Sequence, residues 1–150
     1  MSVHSYAELK QLVLEKRDAG IVTVELRDRA SVEADDVSVV DSFVKDLGFK
    51  PLGRAWRAVD RDGAVTLLTA MLARDLAYFT QLMLPKTARY LATSFVDLFD
   101  RHAAKCYING ETPSIESGRC WEPLTDSTFD AAVVILDREK IGIVCVEDED

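Results

Sequence analysis

The last twenty-two residues, FDAAVVILDREKIGIVCVEDED (129–150), constrain the fold of this chain more than any other stretch. Residues 132–136 and 141–146 are apolar runs rich in β-branched side chains, parted by the polar tetrad Asp137-Arg138-Glu139-Lys140. Two such runs around a short polar break predict a hairpin. Both are apolar at nearly every position instead of every second one, which places these strands inside a sheet and away from a half-wet edge. Four consecutive carboxylates follow, Glu147, Asp148, Glu149 and Asp150. An acidic end therefore leaves the best-buried element of the molecule.

The rest of the chain supplies helices and shorter strands. Ser5-Tyr6-Ala7-Glu8 is a capping-box pattern that opens a helix with Leu9, Leu12 and Val13 on one face, stopped at Gly20. Residues 21–27 alternate, Val22, Val24 and Leu26 against Thr23, Glu25 and Arg27, as a strand with one wet face does. Asp35 or Asp36 can cap a second helix carrying Val37, Val40, Phe43, Val44 and Leu47, closed by Gly48. Residues 54–59 read as a short strand. From Asp62, helical spacing holds through Val65, Leu68, Met71 and Leu72 to at least Ala73, whereas 74–82 fits a helix and a strand equally. Pro85 suits the first turn of a fourth helix, whose apolar stripe runs from Ala88 to His102. Residues 105–108 are strand-like and end at the turn pair Asn109-Gly110. The stretch 110–127 has little periodicity, and a loop of that length often carries function.

These elements predict an α+β fold in a single domain, 1–150. A mainly antiparallel sheet of 21–27, 105–108, 131–136 and 141–146 ends in the C-terminal hairpin, with about four helices packed on one side. A chain of 150 residues can bury roughly two-thirds of its unfolded surface. Its 29% charged and 48% hydrophobic residues are those of a folded protein, not a disordered one. There is neither a membrane-spanning apolar run nor a leader-like N-terminus, so the expected compartment is the cytoplasm. Three widely spaced cysteines, Cys106, Cys120 and Cys145, read as reduced thiols. The net charge is −8, and −6 of it falls in the last fifty residues. Such a chain repels nucleic acid and anionic membranes and attracts basic partners.

Catalytic or metal chemistry finds little support. His102, Cys106, Cys120 and Cys145 could form a zinc set, but only His102 and Cys106 lie close in sequence, and structural sites usually fix two pairs of ligands on short turns. Asp60 and Asp62 read more simply as helix caps, and Asp126 as a turn residue before the hairpin, than as acid–base pairs. His4 and His102 are the only histidines, and the seven glycines form no phosphate loop. We therefore assign no catalytic residue, cofactor or metal ligand, and expect a protein that is not an enzyme.

The acidic end is the positive signal. Its bland reading is a solubilising tail; its sharper reading is a docking surface for a basic protein, in which complementary charge speeds association. The candidate partner-binding residues are Glu116, Trp121, Glu122, Asp137, Glu139, Glu147, Asp148, Glu149 and Asp150. Tyr107 flanks the same region, whereas Trp56 reads as a packing residue.

With Trp121, Thr125, the Thr128-Phe129-Asp130 entry to the hairpin and the ending Val146-Glu147-Asp148-Glu149-Asp150, the chain resembles the small acidic immunity proteins of bacterial polymorphic and contact-dependent toxin systems. The resemblance implies an inhibitor that neutralises a basic toxin domain, often a nuclease, by covering its active site or an adjacent surface. Two other classes remain open at this point. One is a secretion chaperone or assembly adaptor. The other is a small enzyme or ligand-binding domain, with 110–127 as a lid and Asp60, Asp75, His102 or Asp130 lining a pocket.

Overall fold

A computed structural model describes residues 5–30, 34–110 and 122–149. The chain opens with α1 (Tyr6–Lys16), where Ser5 Oγ accepts the Glu8 amide at 3.2 Å and the Glu8 carboxylate accepts the Ser5 amide at 3.3 Å. This is the capping box read from the sequence, and it satisfies two orphan donors at once. Next come β1 (Ile21–Asp28) and α2 (Asp36–Asp46), the latter capped by Asp35. A single 3₁₀ turn (Gly53–Ala55) leads into the short strand β2 (Arg57–Val59). Helix α3 (Arg61–Ala73) follows, with Asp60 Oδ1 accepting the Gly63 amide at 2.7 Å, and then α4 (Pro85–Val96) with Pro85 in its first turn. The chain finishes with β3 (Lys105–Ile108), β4 (Phe129–Leu136) and β5 (Lys140–Asp148).

The strands form one sheet in the order β1-β5-β4-β3-β2, every adjacent pair antiparallel. The α+β class, the antiparallel sheet and the C-terminal hairpin agree with the sequence reading. Strand β1, whose neighbour the alternation left open, lies along β5, with Ile21 opposite Glu147 and Asp28 opposite Lys140. Its outer edge is guarded by α1: the Tyr6 hydroxyl donates to the Val24 carbonyl at 3.1 Å, and Lys10 pairs with Glu25 at 3.0 Å. Groups placed this way occupy backbone acceptors that another strand could otherwise join.

The helices are not all on one side. Helices α1, α3 and α4 cover the face that presents Ile108, Ala131, Val133, Ile135, Val144 and Val146. The opposite face presents Ala132, Val134, Leu136, Ile141, Ile143 and Cys145, and is covered by α2 with Trp56 and Leu124. The reason lies in the continuous apolar runs. A strand with no polar alternation has two faces to bury, and each Val, Leu or Ile kept from water is worth about 1.5–3 kcal/mol, so helices on a single side would leave half of that unspent.

Helix α4 also stops earlier than its stripe suggests, at Val96 and not near His102. The Asp97, Leu98 and Phe99 amides turn back to Thr93, Phe95 and Val96, and the Asp100 amide is taken by the Asp137 carboxylate at 2.9 Å. A tertiary acceptor thus captures a donor that another helical turn would have used. Residues 74–82 are neither helix nor regular strand: they form a closed loop with one antiparallel bridge, Arg74 to Gln81.

Candidate functional site

The carboxylates grouped by the sequence reading have different fates. Asp137 and Asp148 are only 2% and 4% exposed. Asp137 sits in the β4–β5 turn and accepts four hydrogen bonds, from the Asp100, Glu139 and Lys140 amides and the Lys140 ammonium. Burial by itself would raise its pKa, but these donors together hold the carboxyl down to about 2. Glu122, Glu139 and Glu149 are exposed and Glu147 is half-buried. Glu116, Trp121 and Asp150 lie outside the described residues. The single acidic tail is thus corrected: β5 runs on through Asp148, because Glu147 pairs with Asp130 and Asp148 with Phe129. Glu139 and Glu147 stand at opposite ends of β5, about 27 Å of strand apart. The surface charge therefore splits, with Glu147 and Glu149 marking one end of the sheet.

At that end the carboxylates are held in place. Glu147 accepts from Ser127 Oγ at 2.9 Å. Glu149 accepts the Thr128 hydroxyl at 2.5 Å and its amide at 2.9 Å, and these bonds lower its pKa. Asp148 turns inward to Arg17, which follows α1. Arg17 Nη1 and Nη2 reach the two Asp148 oxygens at 3.2 and 2.7 Å, and the Leu76 amide donates to Asp148 Oδ2 at 2.8 Å. The remaining Arg17 donors go to the Met71, Ala19 and Arg74 carbonyls at 2.6, 2.8 and 3.2 Å. All five guanidinium donors are used, as a buried arginine requires. Gly20 makes room for the pair: its φ is +67°, and a Cβ there would lie 2.2 Å from both Asp148 Oδ1 and the Glu147 carbonyl.

The ion pair pins the loop between α3 and α4, because Met71, Arg74 and Leu76 are all bonded to it. The Asp75 carboxylate accepts the Tyr78 amide at 2.6 Å, and the Leu82 amide closes onto the Ala73 carbonyl at 2.7 Å. The loop holds Phe79 at φ +58°, a left-handed conformation that costs an L-residue about 1–2 kcal/mol. It displays large side chains outward: Tyr78 is 67% exposed and Leu84 64%, with Phe79 also exposed, and Tyr90 is exposed on the neighbouring α4. A backbone outlier beside exposed aromatic side chains makes this loop a candidate interaction surface. The sequence reading missed this loop; the only signal was the stretch 74–82, which fitted the helical and the strand period equally.

The other candidates are used locally. Asp60 caps α3 and Asp75 braces the loop. Asp130 is buried and binds the Leu124 and Thr125 amides, the Thr125 hydroxyl at 2.8 Å and the Asn109 side chain at 2.9 Å; burial raises its pKa against those bonds. Trp56 packs in the second core and donates to Asp41 at 2.8 Å, and Tyr107 packs beside it. Cys106 and Cys145 face opposite sides of the sheet, Cys120 lies outside the described residues, and His102 is exposed, so these four do not converge. Burial pushes the Cys106 thiol up to about 11. Among the described residues no group of three or more His, Cys, Asp or Glu side chains could hold a metal ion. No helix among them is long and apolar enough to cross a membrane. Compared with protein-family models, curated proteins and solved structures, the chain matches none.

Proposed function

We propose that this chain is a protein-binding inhibitor, an immunity-type protein that acts in the cytoplasm on a basic toxin domain such as a nuclease. One observation carries the reading. The braced loop displaying Tyr78 and Phe79 is bonded through Asp148 to the strand end that bears Glu147 and Glu149. Anchoring side chains and steering charge thus meet at one end of the molecule. Exposed tyrosine and phenylalanine on a pre-shaped loop lose little conformational freedom on binding, which makes them efficient anchors. The carboxylates contribute through the encounter rate and the exclusion of acidic competitors.

The test is to pull down partners from the source cell and co-express any basic toxin domain recovered, read as survival, with binding kinetics measured on the purified pair. The association rate is expected to fall steeply as salt rises through about 0.1–0.5 M, where the screening length drops below roughly 10 Å. Tyr78→Ala is expected to raise the dissociation rate about thirtyfold, the equivalent of a 2 kcal/mol anchor. If a variant combining Tyr78→Ala, Glu147→Gln and Glu149→Gln protects cells as well as the parent, the reading fails.

A further inference from the structure

The far end of the sheet holds a feature that inhibitor action does not use. An open cleft of about 550 Å³ lies between the β4–β5 turn and the turn after α4. Three basic side chains line it, His102 and Lys105 from one stretch of chain and Arg138 from the β4–β5 turn. Asp137 brings them together. One carboxylate oxygen fixes the turn bearing His102 through the Asp100 amide at 2.9 Å; the other fixes the turn bearing Arg138 through the Glu139 and Lys140 amides at 2.8 and 2.9 Å. The β3–β4 register sets Lys105 opposite Leu136, beside that turn. Behind them the Arg29 side chain, 7% exposed, donates to the Asp137 carbonyl at 3.0 Å and to the Asp36 carboxylate at 3.1 Å.

The lining carries Arg29, Lys105 and Arg138 against Asp36, Asp100 and Asp137, but these charges are not all paired with one another. Asp36 is answered by Arg29, and Asp137 by Lys140 and three amides. The Asp100 carboxylate accepts only the His102 amide among the described residues, at 3.0 Å. The side chains of His102, Lys105 and Arg138 make no hydrogen bond or ion pair with any described residue. Lys105 and Arg138 thus face one unpaired carboxylate, that of Asp100, among the described residues, and a concave site with this local surplus of cations suits an anion. Its volume matches clefts that hold small molecules. We propose that it binds a small phosphorylated molecule, whose phosphate is held by Lys105, Arg138 and His102 while Asp100 accepts a ligand hydroxyl.

The test titrates the whole protein, at constant ionic strength, with inorganic phosphate, a hexose phosphate and a phosphoserine peptide, read by amide NMR shifts. Inorganic phosphate is expected to bind at about 1–10 mM and the hexose phosphate roughly tenfold tighter, with shifts confined to residues 100–105 and 137–140. The variant Lys105→Ala with Arg138→Ala changes only surface side chains, so it should keep its circular dichroism and lose at least about tenfold in affinity. The proposal is overturned if sodium chloride gives the same shifts, if that variant binds like the parent, or if the phosphopeptide binds best.

Discussion

Asp148→Ala is the sharpest probe of how this molecule is held together. It removes one member of an ion pair whose side chains are 0% and 4% exposed. Breaking a buried pair from one side typically costs about 3–5 kcal/mol, since a charge is left without its partner. Here the figure should fall near the lower bound, because Arg17 keeps the Met71, Ala19 and Arg74 carbonyls as acceptors. The reverse change, Arg17→Met, strands a carboxylate with only the Leu76 amide and leaves three carbonyls without their donor. It should cost about 5 kcal/mol or more. At 2–4 °C per kcal/mol, melting temperatures should drop by about 6–12 °C for Asp148→Ala and by 10 °C or more for Arg17→Met. Urea unfolding followed by circular dichroism gives the free energies, and limited proteolysis across residues 74–84 reports whether the loop is released. The reasoning is refuted if Arg17→Met is no worse than Asp148→Ala, or if Asp148→Ala costs under 1 kcal/mol.

Three further outcomes follow from the same geometry. Asp137, held at about 2 when folded, contributes stability that is complete above its unfolded value near 4 and is lost as pH falls through 2; Asp137→Asn should remove about 2 kcal/mol at pH 7 and flatten the melting curve's dependence between pH 4 and 2. Gly20→Ala combines a left-handed φ with a clash against Asp148 and Glu147, so denaturant titration should show a loss above the ~1–2 kcal/mol of the backbone alone. Phe79→Gly relieves a positive φ and should leave the melting temperature equal or higher, yet weaken the inhibitor complex, a separation that calorimetry and binding kinetics on one sample would reveal.

Local signals were readable wherever the deciding contacts are close in sequence. The Ser5–Glu8 capping box, Asp60 and Pro85 as helix starts, and Gly48 just past the end of α2 all operate within a few residues, whereas α1 ends at Lys16, before the Gly20 expected to stop it. The runs 132–136 and 141–146 announced buried strands because burial on both faces demands apolar residues at every position. The same observation also required cover on both faces, which the expectation of one-sided helices overlooked.

The roles of the carboxylates were not readable in this way. Asp148 and Glu149 are neighbours of one charge, yet one is buried against a guanidinium 131 positions away and the other stays in solvent beside Thr128. Likewise, only the closing of α3 to α4 lifts Tyr78 and Phe79 to the surface, and only the Asp137 carboxylate draws His102 towards Arg138. Residue order alone determined most helix starts and the buried hairpin, since propensity and hydrophobic period act over a few residues, whereas the end of α4 and the loop 74–82 waited on distant partners. Which charges became structural and which remained available was decided by tertiary structure, because a carboxylate's state depends on the donors that distant parts of the chain bring to it.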